Sequence, residues 1–217
     1  MRRDALGETA AFALCHRARR RLEESHMFIL ALGLVLMLGV HVFASLRGPR
    51  GRLVERIGAD PYRGLHSLIA ALGLALIVRG FIRYRAYAWD QIWVPPEHAR
   101  DVTWTLMWFA LVSLACMYGK PSRIRGWLRH PLLAAVTLWS LAHLISNGDA
   151  GGMLLFGAFF VWSIYARFAL ERRGDPGAAP SAAFTRADAI ELVVGTVLWA
   201  ALAMLHPYFA GVVAIDW

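Results

Sequence analysis

Six long apolar runs divide this sequence, and each has a length that suits a membrane-spanning helix. They cover roughly residues 27–46, 64–82, 102–118, 130–147, 151–169 and 189–213. A helix needs about 20 apolar residues to cross about 30 Å of hydrocarbon, and a lone segment in lipid must satisfy its own backbone groups. The third and fourth runs are near the short end of that range. The pattern therefore predicts an all-α polytopic membrane protein, a bundle of about six transmembrane helices.

Charged residues are sparse within the runs and concentrated in the connections. Hydrophobic residues make up 58% of the chain and the mean hydropathy is +0.48, which is high for a soluble domain. Thirteen cations lie between the first and second, third and fourth, and fifth and sixth runs, against four in or near the second connection. The positive-inside rule places the larger set in the cytoplasm and the C-terminus on the opposite side. The larger set is Arg47, Arg50, Arg52, Arg56, Arg63, Lys120, Arg123, Arg125, Arg129, Arg167, Arg172, Arg173 and Arg186, and the smaller is Arg79, Arg83, Arg85 and Arg100.

The N-terminal segment differs from the rest of the chain. Residues 1–26 are rich in arginine and contain no apolar core of the kind that a cleaved signal peptide needs. We expect them to form a basic tail, either a peripheral surface arm or a segment outside the natural product. Residues 27–217 are then expected to form the membrane domain.

Common catalytic and cofactor motifs are missing from the sequence. Cys15 and Cys116 form no CxxC or CxxCH pattern, which gives no support to a disulfide framework, an iron–sulfur site or covalently bound haem. The sequence contains no P-loop, no GxSxG and no HExxH, and the glycine-rich segment 148–152 is typical of a turn. The net charge of +8 is explained by membrane orientation. We therefore expect the lipid bilayer as a partner and no nucleic acid.

Histidines within the apolar runs are the main candidates for chemistry. Ionisable groups at membrane depth are costly and are usually kept for a ligand, a metal or a proton path. His41 and His143 lie well inside their runs, whereas His66 and His130 also suit an interfacial position. His206 precedes Pro207, a residue that can terminate or kink a helix. A haem iron held by two imidazoles from different helices is one site that such residues can form.

Helical geometry limits which histidines can act together. His130 and His143 are about 20 Å apart along one helix, so they cannot share an iron. His41 and His143 differ in depth by about 14 Å, which is near the limit for two ligands of one haem. By depth, His143 pairs more easily with His206. Asn147 lies one turn after His143 on the same helix face.

Short motifs around these histidines resemble those of one family. They are Gly39-Val40-His41, Gly64-Leu65-His66, Arg129-His130-Pro131, Leu141-Ala142-His143, Asn147-Gly148-Asp149 and Leu155-Phe156-Gly157. Over about residues 27–217 the chain resembles the NnrU family of bacterial membrane proteins, which is associated with nitrite and nitric oxide reduction. It is also similar to the ζ-carotene isomerase of plants and cyanobacteria. The resemblance implies non-covalent haem b, with the ligand positions at His41 and His143 and the Arg-His-Pro position at His130.

Three functions follow as hypotheses, and whether the protein is itself an enzyme stays open. The first is a haem-binding protein of nitrogen-oxide metabolism in the bacterial inner membrane, with reductase components as partners. The second is a haem-dependent cis–trans isomerase of a polyene such as ζ-carotene. The third is a membrane methyltransferase, because Arg-His-Pro also opens a cofactor motif of that class. Arg79 and Arg83, one turn apart, are candidates for the haem propionates, although snorkelling to the interface explains them equally well.

Overall fold

The computed structural model describes residues 26–118, 120–179 and 181–211. Apart from His26, the predicted basic tail lies outside the described residues. The described part contains eight helices and no strand. They are α1 (His26–Ser45), α2 (Arg47–Ile57), α3 (Ala59–Tyr87), α4 (Ala99–Ala115), α5 (Arg123–Leu128), α6 (Pro131–Ser146), α7 (Ala150–Glu171) and α8 (Arg186–Ala210).

The prediction of an all-α membrane protein is confirmed. All six predicted runs are helical, and four of them, α1, α3, α7 and α8, are long and apolar enough to cross a membrane. The other two are shorter, with 17 residues in α4 and 16 in α6. Buried residues make up at most 17% of the most apolar window of each long helix. Most residues of these windows are therefore at least partly exposed, as expected where lipid is the solvent.

Several boundaries differ from those predicted. The basic connections contain two short helices, α2 and α5, that hydropathy does not reveal. Helix α3 continues to Tyr87 through Arg79, Arg83 and Arg85, because arginine is a good helix former and an apolar run marks only the part in hydrocarbon. Helix α8 contains Pro207 and continues to Ala210, where Gly211 adopts a left-handed conformation and ends it.

The described residues form two compact units. The first comprises the residues up to Trp93 together with Asp149–Leu155, and the second comprises Val94–Gly148 and the residues from Phe156 onward. In the first unit α1 packs closely against α3 through glycines. A Cβ on Gly73 would lie 2.7 Å from the backbone nitrogen of Met37, and one on Gly80 would lie 2.6 Å from that of Leu30. Small residues of this kind let helix backbones approach in a membrane.

The first unit also includes the start of α7. The Tyr84 hydroxyl lies 3.1 Å from the backbone nitrogen of Asp90 and accepts its hydrogen bond. The Asp90 carbonyl accepts from the backbone nitrogen of Ala150 at 3.0 Å, and the Asp149 carboxylate accepts from that of Gly152 at 2.8 Å. The predicted turn at 148–152 is thus confined to Gly148 and Asp149, because residues 150–152 form the first turn of α7, which Asp149 caps.

In the second unit, hydroxyl groups join the helices. Thr103 on α4 donates to the carbonyl of Ala142 on α6 at 3.0 Å. Thr137 on α6 donates to Ser163 on α7 at 2.9 Å. Helix α8 approaches α4 at Gly195, where a Cβ would lie 2.5 Å from the Cα of Val112. Hydrogen bonds between helices and close approach at small residues are both contacts that hold membrane helices together.

Candidate functional site

His143 lies among aromatic rings in the second unit. Its Nδ1 is 2.9 Å from the carbonyl oxygen of Trp139, one turn earlier on α6. The ring of Phe156 stacks on it at 4.6 Å between centroids, and the Trp139 ring lies 5.5 Å away. A carbonyl oxygen only accepts, so Nδ1 carries the proton and the lone pair is on Nε2. The imidazole is thus held in the tautomer that binds a metal through Nε2.

His41 repeats this arrangement in the first unit. Its Nδ1 is 2.7 Å from the carbonyl oxygen of Met37, one turn earlier on α1. The Nδ1 atom again donates, which places the lone pair on Nε2. The two histidines that the sequence ranks highest therefore share one backbone-fixed tautomer. His41 and His143 belong to different units, so their pairing on one iron stays a prediction.

Sequence reasoning missed a ring neighbour of His41. The His66 ring on α3 lies 5.0 Å from that of His41, at an interplanar angle of 65°. Tyr62 lies beyond it, with 6.2 Å between the Tyr62 and His66 ring centroids. Consecutive membrane helices run antiparallel, so the sequence brings the second half of α1 near the start of α3, but it does not give the register that sets this ring contact.

His206 is the alternative partner of His143. It lies on α8, in the same unit, within electrostatic range of His143. Its ring contacts that of Phe209, with 5.2 Å between centroids. The sequence predicted that His143 pairs more easily with His206 because the two lie at a similar membrane depth. Their presence in the same unit is compatible with that prediction.

His130 and Asn147 are at the two ends of α6. His130 precedes Pro131 at the start of the helix, and its Nε2 is buried with no hydrogen-bond partner among the described residues. Asn147 ends the helix, and its side-chain nitrogen donates to the carbonyl of His143 at 2.8 Å. The Asn147 side chain therefore caps the end of α6 by bonding to the backbone carbonyl of His143.

Arg79 and Arg83 are both exposed on α3 in the first unit. Exposure is expected for an arginine that meets a propionate at the rim of a haem site, and it is equally expected for one that snorkels to the membrane interface. It therefore does not distinguish the two interpretations. His26, which the sequence places outside the spans, begins α1 and is only 5% exposed. No group of three or more histidine, cysteine, aspartate or glutamate residues suited to a metal ion occurs in the described ranges.

The second unit also contains an aromatic cleft. Trp104 and Trp199 meet edge to face with 4.6 Å between ring centroids. The Trp108 indole donates to the hydroxyl of Thr196 at 3.0 Å. The cleft has a volume of about 370 Å³, and its lining is completed by Thr105. Its surface is mostly apolar and planar, which suits a flat hydrophobic molecule.

Comparison with known proteins gives one match. The family model described as NnrU protein matches residues 29–214, which is most of the chain. No curated protein matches, and no solved structure matches.

Proposed function

We propose that this chain, which belongs to the NnrU family, binds haem b within the membrane and serves the reduction of nitrite and nitric oxide. One observation carries the haem proposal. His41 and His143 each donate from Nδ1 to the carbonyl four residues earlier, at 2.7 and 2.9 Å. This is the arrangement by which proteins orient an imidazole that ligates a metal through Nε2.

The surroundings of His143 fit a hydrophobic macrocycle. Phe156 and Trp139 place aromatic surface on the imidazole, and such surface excludes water from the ring. The carbonyl of Trp139 keeps the proton on Nδ1 and makes Nε2 more basic. When bound, haem b would supply an iron able to exchange one electron and to bind a nitrogen oxide.

His143 is the residue common to both proposed ligand pairs. The family resemblance pairs it with His41, and the depth argument pairs it with His206. Arg79, Arg83, His130 and Asn147 are proposed at the periphery, as partners for the propionates or as groups that orient the ligand. Their roles rest on the resemblance and on charge complementarity.

The proposed setting is the bacterial inner membrane, with the C-terminus in the periplasm and nitrogen-oxide reductase components as partners. This setting rests on the cation distribution and on the association of the family. Cis–trans isomerisation of a polyene such as ζ-carotene is the second candidate function. The aromatic cleft of Trp104, Trp108 and Trp199 favours it, because a surface of indole rings suits a planar conjugated chain.

The deciding experiment is the absorption spectrum of the detergent-purified full chain, produced in cells supplied with haem precursor. We expect a Soret band and a b-type pyridine haemochrome at about one haem per chain. Addition of nitric oxide to the reduced protein should shift the Soret band if nitrogen oxides are the substrate class. Conversion of a cis-polyene by the reduced protein would favour the isomerase instead. Colourless protein from haem-replete cells would overturn the haem proposal.

A further inference from the structure

A second potential site lies in the first unit, at the cytoplasmic end assigned by the cation distribution. The end of α1, the helix α2 and the start of α3 line an open cleft of about 350 Å³. None of its lining residues is a proposed haem ligand. The lining consists of Ala44, Arg50, Tyr62, Arg63, His66 and Ser67.

The cleft concentrates positive charge and hydrogen-bond donors. Arg50 and Arg63 are cationic, and Tyr62, His66 and Ser67 line the same cleft with groups that can donate hydrogen bonds. The lining contains no carboxylate. Asp60, which is not part of the lining, pairs with Arg63 at 2.8 Å between exposed side chains, where water screens the pair. An anion in the cleft would offset the mutual repulsion of the two guanidinium groups.

Tyr62 adds a second, independent observation. It is 7% exposed, and its hydroxyl is buried with no hydrogen-bond partner among the described residues. Buried hydroxyl groups normally have a partner, and an exception calls for one. The Arg50 guanidinium lies over the Tyr62 ring at 5.6 Å from its centroid, which keeps this cation beside the cleft.

The position of the cleft along the membrane normal indicates the source of the anion. Ala44 is next to the last residue of α1, and Tyr62 and Arg63 are in the first turns of α3. These are the ends of two helices long enough to cross a membrane, so the cleft lies at the level of the phosphate groups of the bilayer. Basic pockets at such positions bind anionic headgroups.

We propose that this cleft binds a phosphate ester, through the guanidinium groups of Arg50 and Arg63 and the donors of His66, Ser67 and Tyr62. Arginine suits phosphate because its planar fork donates two parallel hydrogen bonds. The source is either the headgroup of an anionic phospholipid or a soluble phosphate. The proposal does not rest on haem binding.

The test uses the full chain as purified, with its absorption spectrum recorded so that haem content is matched among variants. In one arm the protein is placed in phosphatidylcholine nanodiscs containing increasing phosphatidylglycerol. In the other arm it is kept in neutral detergent and titrated with inorganic phosphate. Thermal unfolding is the readout in both arms, because a ligand of the native state raises the melting temperature.

The cleft variant is Arg50→Gln/Arg63→Gln, with Tyr62→Phe as a milder change that keeps the ring. The matched control is Arg52→Gln/Arg56→Gln, which removes the same charge from α2 at positions outside the lining. We expect the wild type and the control to be stabilised and the cleft variant to need at least tenfold more ligand. A response to phosphatidylglycerol alone identifies the lipid source, and a response to inorganic phosphate identifies the soluble source. No response in either arm, or equal loss in the control, would overturn the proposal.

Discussion

The ring of Phe156 stacks on the ring of His143, with 4.6 Å between centroids and 29° between planes. The contact joins α7 to the last turn of α6, and both residues belong to the second unit. It restrains the imidazole on one side, while the Trp139 carbonyl restrains its Nδ1 atom. If His143 ligates haem, Phe156 is a positioning residue that affects the iron through the imidazole.

We therefore predict that Phe156→Leu weakens haem binding without abolishing it. Loss of one aromatic stacking contact is worth about 1 kcal/mol, or about fivefold in affinity. The measurement is the Soret absorbance during competition with apomyoglobin, and the midpoint potential should also shift. The control is Phe168→Leu on the same helix, a side chain that is 58% exposed. Identical competition curves for the two variants would contradict a positioning role.

The ligand pair is decided by single alanine substitutions of the three candidate histidines. We predict that His143→Ala lowers haem occupancy at least tenfold, because both proposed pairs include it. A comparable loss in His41→Ala supports the pair with His41, and a loss in His206→Ala supports the pair with His206. Imidazole added to the medium should restore part of the Soret band where a ligand has been removed. His98→Ala is the control, because that side chain is 89% exposed. Full haem occupancy in His143→Ala would contradict both proposed ligand pairs.

The places of the four long apolar helices were predictable because hydrocarbon thickness sets the length of a run. The contact between His41 and His66 was not, because it depends on the register of α1 against α3. That register follows from close backbone approach at Gly33 and Gly73, where a Cβ on either would lie within 3.0 Å of the other's carbonyl oxygen. A hydropathy profile contains the length of each helix but not this packing.

The polar interior of the second unit was missed for a related reason. The last apolar run was predicted to begin at residue 189 and neither Asp188 nor Glu191 was singled out, yet they are 0% and 2% exposed. Their partners come from the connection before α6, where Ser122 donates to Glu191 at 2.7 Å and the Ile124 backbone donates to Asp188 at 2.8 Å. Such long-range partners are not visible in local sequence patterns.

Ser122→Ala is predicted to destabilise the second unit. The hydroxyl of Ser122 donates to the Glu191 carboxylate and accepts from the backbone nitrogen of Arg125. Its removal leaves a buried carboxylate short of a donor and α5 without its cap, which costs about 1–3 kcal/mol. The measurement is unfolding in mixed micelles of increasing sodium dodecyl sulfate content. Ser181→Ala, whose hydroxyl makes an exposed bond to Ala183, should change stability little.

Glu191→Gln gives the complementary result. Oε1 of Glu191 is buried with no hydrogen-bond partner among the described residues. A neutral amide is less costly to bury than a carboxylate, so this variant should equal or exceed the wild type in stability. A strongly destabilised Glu191→Gln protein would mean that the negative charge itself is required there.

Close packing in the first unit predicts that one added methyl group lowers the stability of the protein strongly. In Gly73→Ala the new Cβ would lie 2.7 Å from the Met37 nitrogen and 2.9 Å from the Gly33 carbonyl oxygen. Both neighbours are backbone atoms, so α1 and α3 must separate, at a cost of about 1–3 kcal/mol. Gly39→Ala is the control, because its Cβ would meet nothing within 4 Å and alanine favours a helix. Unfolding in mixed micelles should rank Gly39→Ala at or above the wild type and Gly73→Ala below it.

The thirteen cations in alternate connections predict the orientation of the chain in the membrane. Short cationic loops stay in the cytoplasm, so the C-terminus should lie in the periplasm. Alkaline phosphatase fused after Trp217 should be active and a green fluorescent protein at the same position dark, since the first matures only in the periplasm and the second only in the cytoplasm. A fusion truncated after Lys120 should give the reverse pattern. Fluorescence after Trp217 would invert the assignment, and it would move the cleft of Arg50 and Arg63 to the periplasmic face.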